Sequence, residues 1–484
     1  MNFKDFQELG IRNMVLKELG SVALIKPYLE LLRVREIIDM VVPIERKREL
    51  THGEVIEALT ANRLDDPMPL LHIQEWAEDS GVEEAYGISP DSLNDDRLGR
   101  ALDAIYPYIE EIQSLIALEL IERYNIDSNL VLWDTTSCYF EGAYEESEYI
   151  ELGYSRDKKP HKKQIVTGLN LSREGIPLAH NILPGNSSDK KEALNNVQVL
   201  QKSLRPKKLL FVGDRAVLTK NNIPALQEQN VHYLGPFAAA EKDFILSIPD
   251  EEFWPLDYST SKGKQGYYGV EKELSFRYKG KEYHNRALVV KSDEKASVVA
   301  KTRTKNLEKI TAGLEHIRSK LNERKYKKRT YAQEQIDKLF HRKKKYRAFL
   351  NIELTGEDGE LSLDWSFNEV ALAQEKRLDG KYILITNLSP EEYPSTELLK
   401  LYKSRHLNES RFRTFKSDLR VRPVFLRTDE RIMALLFINI LALTLYCLVE
   451  WLCRQNNLQV TARTVLKKLR KIRQTVTQVT FKLE

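Results

Sequence analysis

One stretch of the chain, LYKSRHLNESRFRTFKSDLR at 401–420, combines residue types and spacings suited to chemistry on phosphates. At intervals of 3, 4 and 7 residues it contains Tyr402, Arg405, Glu409 and Lys416. On one helix of about 3.6 residues per turn, these side chains would fall within roughly 60° of one another. These four side chains would form one stripe along the helix. The stripe is either a solvent-exposed charged face with i,i+4 ion pairs or a metal-binding carboxylate flanked by phosphate-binding groups. Partner carboxylates upstream would favour the second interpretation.

Two aspartates upstream follow apolar, β-type runs. Asp134 lies in LVLWDTTSCYFEG, where we predict a position toward the end of a strand, and Asp214 ends the predicted short strand of KKLLFVGDR. Such an aspartate is most often a turn or cap residue. However, sites in open α/β sheets lie at the carboxyl ends of strands. With Glu409, these residues make three carboxylates that a sheet and a flanking helix could bring together.

Three carboxylates of this kind suit magnesium, which prefers hard oxygen ligands and keeps several waters. Two Mg²⁺ ions about 3.5–4 Å apart can activate a water or a 3′-hydroxyl and stabilise the leaving oxygen of a phosphodiester. No covalent nucleophile would then be required. The composition of the site therefore indicates metal-dependent phosphodiester chemistry.

The elements that would position these residues can be predicted in order. Residues 1–125 are mostly helical by their apolar spacing, with Asn94 or Asp95 as the cap of the last long helix. Residues 130–237 follow the order β-β-β-α-β-α-β, with Gly175 in the turn of the first hairpin. Residues 238–376 are first β-rich and then basic and helical. After two further strand candidates, Glu397 begins the helix that carries the stripe.

Length and charge constrain the class of protein. A chain of 484 residues is too long for one core, so two or three domains are expected. Its net charge of +4 says little by itself, but residues 301–347 contain 17 Lys/Arg against 5 Asp/Glu. This segment suits a polyanionic partner, although an exposed helical arm would have the same composition.

Cysteines and apolar runs exclude several alternatives. Cys138, Cys447 and Cys453 form no CxxC pair and are odd in number, so neither a disulfide framework nor a zinc site is indicated. The N-terminus lacks the apolar core of a signal peptide. Residues 432–449 are uncharged and long enough for a membrane span. Because Asn439 lies within this single run, we predict a buried core helix and no membrane association.

The four stripe residues match the pattern Y-x2-R-x3-E-x6-K without a gap. In this the chain resembles the DDE transposases of bacterial insertion sequences, in particular the IS-four-type (YREK) class. WDTTSCYFEG resembles the first DDE segment of that class, and FVGDRAVLTKNNIPAL resembles the second. The helical N-terminal part also resembles one branch of these enzymes, so the resemblance covers nearly the whole chain.

The resemblance implies roles for the candidate residues. Asp134, Asp214 and Glu409 would be the catalytic metal ligands for two Mg²⁺ ions, with Mn²⁺ as the expected substitute. The DNA-binding residues would be Tyr402, Arg405 and Lys416. The implied partners are double-stranded DNA, at the terminal inverted repeats of the element and at the target, and a second copy of the chain in a homodimer. The implied location is the bacterial cytoplasm, at the nucleoid.

The resemblance also implies a fold, which agrees with the order of elements. The class is mixed α+β: an RNase H-like catalytic core with a helical N-terminal domain and a β-rich plus basic helical insertion before the helix of the catalytic glutamate. Such an insertion explains the 195 residues between Asp214 and Glu409, far more than a loop requires. The predicted divisions are a helical, candidate DNA-binding domain at 1–127, core at 128–237, insertion at 238–376, core at 377–460 and a basic tail at 461–484.

The expected function is transposition: metal-dependent cleavage at the element ends and transfer of the freed 3′-hydroxyl into target DNA. Two alternatives remain from sequence. One is a catalytically inactive DNA-binding repressor or domesticated copy, which would bind DNA without metal-dependent cleavage. The other is a nuclease of the same core that only hydrolyses its substrate.

Overall fold

The computed structural model describes residues 11–43, 49–238, 241–260 and 263–479. Within them the chain divides into two compact units. The first runs up to Val217 and also contains Asn222–Tyr233 and the residues from Leu401 onward. The second contains Leu218–Asn221 and Leu234–Lys400.

The N-terminal part of the first unit is helical, as predicted, and is preceded by one strand, β1 (Ile11–Glu18). Its helices are α1 (Gly20–Leu31), α2 (Val34–Val41), α3 (His52–Leu64), α4 (Ile73–Asp79), α5 (Val82–Tyr86), α6 (Asp95–Ile105) and α7 (Ile109–Tyr124). Helix α3 begins with a capping box between Thr51 and Glu54, and all of its residues except Glu54 are buried. The predicted cap of α6 is confirmed, because the side chain of Asn94 accepts a hydrogen bond from the Arg97 amide.

The next segment has the predicted order β-β-β-α-β-α-β. Its elements are β2 (Leu130–Tyr139), β3 (Gln164–Leu171), β4 (Pro177–Pro184), α8 (Asp189–Leu204), β5 (Leu210–Val212), α9 (Asn222–Glu228) and β6 (His232–Pro236). Gly175 occupies the β3–β4 turn with a φ of +80°, a conformation that glycine adopts without steric cost.

The sheet of the first unit has the strand order β4-β3-β2-β5. Strands β2, β3 and β4 pair antiparallel, whereas β5 pairs parallel to β2. Three antiparallel strands followed by a parallel strand beside the first are the arrangement of an RNase H-like sheet. Every residue of β3 is buried, so the middle of this sheet is covered on both faces. The predicted mixed α+β class is confirmed.

The second unit contains further strands and a buried hydrophobic cluster. Its elements in chain order are α10 (Glu241–Leu246), β7 (Trp254–Pro255), β8 (Ser259–Thr260), β9 (Gly263–Lys264), β10 (Tyr267–Tyr278), β11 (Lys281–Ser292), α11 (Asp293–Lys320), α12 (Arg329–Phe340), β12 (Leu350–Thr355), β13 (Ser362–Phe367), α13 (Glu369–Arg377) and β14 (Lys381–Thr386). Strands β14, β11, β10 and β7 pair antiparallel in that order. The basic stretch is not a lone arm, because Ile310 and Leu314 of α11 share a buried cluster with Ile336 of α12.

The C-terminal elements are α14 (Ser395–Lys403), α15 (His406–Ser417), α16 (Asp429–Gln455), α17 (Ala462–Leu469) and β15 (Arg473–Val479). The predicted single helix through residues 401–420 is wrong, because the chain leaves helical structure between Lys403 and His406 and forms two helices. The first of them begins at Ser395, two residues before the predicted start.

Helix α16 contains the uncharged run at 432–449. By length and composition it could cross a membrane, but 94% of its most apolar window is buried inside the protein. Within the helix, Asn439 Nδ2 donates a hydrogen bond to the Leu435 carbonyl at 2.8 Å. The prediction of a buried core helix is confirmed.

Candidate active site

Asp134 lies in the interior of strand β2, not toward its end, because the strand continues to Tyr139. The expectation of a strand-end position was wrong, since the polar run TTSCY pairs with β3 as regularly as the apolar residues before it. The side chain of Asp134 is 23% exposed, whereas Trp133 and Thr135 on either side of it are buried. Asp134 therefore reaches the surface from an otherwise buried strand.

The register of the sheet brings Asp134 and Asp214 together. Leu132 of β2 pairs with Val212, the last residue of β5. Two residues further along each chain lie Asp134 and Asp214, and neighbouring strands are separated by about 4.8 Å. The pKa of Asp134 agrees with this proximity, because the negative charge of Asp214 helps to raise it.

Asp214 follows β5 by two residues and is held by its own turn. Its Oδ1 accepts backbone hydrogen bonds from Ala216 at 2.8 Å and from Val217 at 3.1 Å. Both contacts involve the same oxygen, and no hydrogen bond to Oδ2 is found within the described residues. The turn thus orients the carboxylate and leaves one oxygen available to a ligand.

Glu409 is positioned by its neighbour on α15. The buried Asn408 donates from Nδ2 to the carbonyls of Leu132 at 3.2 Å and of Leu169 at 3.4 Å. These two hydrogen bonds place the helix across β2 and β3 near Asp134, and Glu409 itself is exposed.

A buried cation fixes the other side of the same helix. Arg411 donates from Nε to the Gly175 carbonyl at 2.9 Å and forms an ion pair with Glu450 of α16 at 2.6 Å. Glu450 also accepts a hydrogen bond from the Ala462 amide at the start of α17. Helix α15 is therefore tied to the β3–β4 turn and to α16.

Arg405 lies at the break between α14 and α15 and contacts Asp134. Its Nη2 is 3.3 Å from Asp134 Oδ2, and the Thr135 amide donates to Oδ1 at 2.8 Å. Burial nevertheless raises the pKa of Asp134 to about 6, with the charges of Asp214 and Asp189 adding to the shift. Arg405 and the Thr135 amide oppose this shift by stabilising the carboxylate.

Tyr402 is the one stripe residue on α14, and it contacts Arg405. Arg405 donates a hydrogen bond to its hydroxyl, and burial is the main cause of the raised pKa of this phenol. The charges of Asp214 and Glu409 also raise the pKa of Tyr402, so both carboxylates lie near the ring. The structure thus brings together five of the six predicted residues: Asp134, Asp214, Glu409, Tyr402 and Arg405. The helical stripe does not account for this grouping, because α14 and α15 are separate helices.

Lys416, the sixth residue, lies further along α15. It is seven residues from Glu409, which corresponds to about 10.5 Å of helix. Its Nζ forms an ion pair with Asp157 Oδ1 at 2.8 Å, in the loop between β2 and β3.

Two further charged residues near Asp134, Asp189 and Arg156, were not predicted as site residues from the sequence. Asp189 accepts a hydrogen bond from the Thr135 hydroxyl at 2.6 Å and binds Arg156 through both carboxylate oxygens, at 2.7 and 2.8 Å. Asp189 is the first residue of α8, whose N-cap is Ser188. In the sequence, the only local sign of this contact between Thr135 and Asp189 is the Thr135 hydroxyl, which follows Asp134 on a buried strand.

The donor set fits a hard divalent cation in its chemistry. Asp134, Asp214 and Glu409 offer carboxylate oxygens; Asp134 lies on β2 and Asp214 lies two residues beyond the end of the neighbouring strand β5. Across the described part of the chain, no three His, Cys, Asp or Glu side chains already surround one common position. At Asp134, a guanidinium stands beside the oxygen that a cation would use.

A sheet of this order, with Asp134 on β2, Asp214 just beyond β5 and Glu409 on a helix that crosses β2, agrees with a DDE-type nucleotidyl transferase. The chain belongs to the family described as the transposase DDE domain, whose model matches residues 126–445. It is therefore a DNA transposase, an enzyme that acts on DNA. DDE transposases generally use divalent metal ions. Residues 14–118 match a domain of unknown function, DUF4277.

Two solved structures show weak similarity to the chain. The piggyBac transposase synaptic complex with hairpin DNA has 9% identity and a TM-score of 0.40, over 95% of this chain and 82% of that one. The Mos1 transposase paired-end complex with the left transposon end has 14% identity and a TM-score of 0.17, over 40% and 61%. Both scores are too low to carry an argument. No curated protein matches the sequence.

Proposed function

We propose that this transposase belongs to the IS-four-type (YREK) class and cleaves phosphodiesters at the ends of its element. It then joins the freed 3′-hydroxyl to target DNA. The observation that supports this most directly is the register of β2 and β5, which sets Asp134 beside Asp214 at the strand crossed by the Glu409 helix. The YREK spacing supplies the class.

We assign Asp134, Asp214 and Glu409 as the ligands of two Mg²⁺ ions, which Mn²⁺ can replace. When bound, such ions activate the attacking oxygen and stabilise the leaving oxygen of the phosphodiester. The chain contributes the geometry: the Asp214 turn orients one carboxylate, and Asn408 holds the glutamate helix against the sheet. Tyr402 and Arg405 then contact the phosphates next to the scissile bond.

The proposed partners are double-stranded DNA at the element ends and at the target, and a second copy of the chain in the DNA complex. A basic surface in the second unit supports the DNA contact. Arg324, Lys325, Lys327 and Lys328, between α11 and α12, are all exposed. Within the described residues these four side chains have no ion-pair partner, so they remain available to a polyanion.

The proposed division of labour follows the sequence-based domains. Residues 1–127 form a helical domain that reads the ends, and the core is formed by 128–237 together with 377–460. The insertion at 238–376 and the basic tail at 461–484 add contacts to the DNA backbone. The proposed location is the bacterial cytoplasm, at the nucleoid.

The proposal is tested with a duplex carrying the inverted repeat that flanks the gene, labelled at its 3′ end. We expect nicking that depends on Mg²⁺, followed by labelled joined products with a second duplex. Nicking without joined product would identify a hydrolytic nuclease, and binding without nicking would identify a repressor.

Asp134→Ala serves as the site control in the same assay. Loss of a residue behind a metal ligand costs roughly 10–100-fold, so loss of the ligand itself should cost more, with binding retained. Asp103→Ala removes an exposed carboxylate that pairs with Arg431 on α16 and should leave nicking unchanged. Wild-type nicking by Asp134→Ala would refute the assignment.

A further inference from the structure

A half-buried ion cluster lies beside the proposed catalytic carboxylates. Asp157 lies in the loop between β2 and β3. Its Oδ1 accepts a hydrogen bond from Lys416 Nζ at 2.8 Å, and its Oδ2 accepts one from Arg422 Nη1 at 2.9 Å. The three side chains are only 19%, 15% and 23% exposed, respectively. Two cations converge on one carboxylate, so the cluster has a net charge of +1.

The shape of this cluster matches a phosphodiester. Each oxygen of the Asp157 carboxylate engages a different cation, just as the two non-bridging oxygens of a backbone phosphate would. The Arg422 guanidinium lies over the ring of Tyr139, 4.1 Å from its centroid. This stacking holds the guanidinium in one plane, which favours recognition of a planar pair of oxygens.

The distance from the catalytic carboxylates suits a DNA strand. Lys416 is about 10.5 Å along α15 from Glu409. Tyr139 is five residues from Asp134 on β2, which corresponds to about 16.5 Å. Both distances are of the size spanned by a few nucleotides of one strand, so a phosphate at the cluster would belong to DNA close to the scissile bond.

The loop that carries Asp157 is also attached to the active site. The neighbouring Arg156 turns the opposite way and binds Asp189, which accepts the Thr135 hydroxyl beside Asp134. The Arg156 amide donates to Ser137 Oγ on β2 at 3.2 Å. A movement of Asp157 away from the two cations therefore acts on a segment that is anchored next to Asp134.

We propose that Lys416 and Arg422 form a DNA phosphate site, and that the Asp157 carboxylate occupies this site as a phosphate substitute until DNA displaces it. The inference rests on the proposed function and on the sequence-based expectation that Lys416 binds DNA, and it adds Arg422 as the second half of the site. Asp157 is an intramolecular competitor, which weakens binding to DNA that cannot displace it.

The experiment measures the Kd of the full chain for end-containing duplex DNA by fluorescence anisotropy in EDTA, over a series of salt concentrations. Asp157→Asn should tighten binding about fivefold, because the competing charge is lost. Asp103→Asn is the matched control: it makes the same charge change at the ion pair with Arg431, and should tighten binding less than twofold. Arg422→Gln should abolish the gain in the Asp157→Asn background.

Two results would overturn the proposal: Asp157→Asn binding no tighter than Asp103→Asn, or a gain that persists without Arg422. If Asp157→Asn does not fold, as judged by its melting curve, Arg422→Gln alone decides. Arg422→Gln should reduce the slope of the logarithm of the DNA-binding constant against the logarithm of the salt concentration by about one. Arg431→Gln should leave this slope unchanged. An unchanged slope in Arg422→Gln overturns the proposal. Since EDTA prevents chemistry, Mg²⁺-dependent nicking by the wild type tests the proposed function separately.

Discussion

Arg405 Nη2 lies 3.3 Å from Asp134 Oδ2, which links the break between α14 and α15 to the central strand of the catalytic sheet. The guanidinium opposes the burial that raises the pKa of Asp134, so it helps to keep this carboxylate ionised. A continuous helix through residues 401–420 would not have the turn that presents Arg405 here. The helix break is therefore part of the candidate site.

The stripe residues should separate into two functional groups. Glu409→Ala should abolish nicking of end-containing DNA while leaving its Kd and salt dependence unchanged, because we assign Glu409 to the metal. Lys416→Ala should weaken binding and reduce the slope of log K against log salt by about one, because it removes one phosphate contact. Binding titrations at several salt concentrations and a nicking assay measure both. Equal loss of binding in the two variants would contradict the division.

Asn408 should act on catalysis through the position of α15. Asn408→Leu removes the hydrogen bonds to the Leu132 and Leu169 carbonyls and should lower nicking roughly 10–100-fold, with DNA binding retained. We also expect a loss of about 1–3 kcal/mol in the free energy of unfolding, since two buried carbonyls lose a donor. Ser417→Ala, on the exposed end of the same helix, is the control. A variant with normal nicking would show that Asn408 does not position Glu409.

The buried pair of Arg411 and Glu450 should be sensitive to the loss of one partner. Arg411→Met leaves the 11% exposed carboxylate of Glu450 with only the more distant and more exposed Arg454, at 4.0 Å. The loss of unfolding free energy should therefore be about 3 kcal/mol, the lower end of the roughly 3–5 kcal/mol typical of a broken buried pair. Replacing both residues, as Arg411→Met with Glu450→Met, should recover most of this loss because no unpaired charge remains. Urea denaturation of the four proteins in the double-mutant cycle measures the coupling. Additive losses would show that the pair is not coupled.

Stability should fall in mild acid because of His180. Burial lowers the pKa of this histidine to about 4; its Nδ1 contacts Gln113 Oε1, and its ring stacks on Phe437. Between the ordinary pKa of 6.5 and about 4, the unfolded chain binds a proton that the folded chain does not. The contribution of His180 is therefore fully present above pH 6.5 and is lost as the pH falls toward 4, at most about 3 kcal/mol.

The measurement for this prediction is urea denaturation from about pH 7.5 down to about pH 4.5, which covers most of the range between the two pKa values of His180. His180→Gln should have lower stability at neutral pH but a flatter profile in this window, because it has no imidazole to protonate. Other groups titrate in both proteins, so the difference between the two profiles isolates His180. Parallel profiles would contradict the assigned pKa.

Much of the architecture could be predicted because its signals are local. The apolar periods predict the order of elements from β2 to β6, and the uncharged run predicts the buried α16. The YREK spacing and two aspartates in apolar runs predict three carboxylates, and the structure brings these three side chains near one another. Each of these signals lies within a segment of about twenty residues, where burial and backbone propensity act directly.

The assembly of the site depended on contacts between distant segments. Asn408 reaches Leu132 and Leu169 across 276 and 239 residues, and this contact determines where Glu409 lies. The register of β2 with β5, which ends at Leu132 and Val212, brings Asp134 near Asp214, and Arg405 at the break before His406 contacts Asp134. No local period encodes strand register or a helix break of this kind. Residue types and order thus follow from the sequence alone, whereas long-range hydrogen bonds and burial decide which side chains meet.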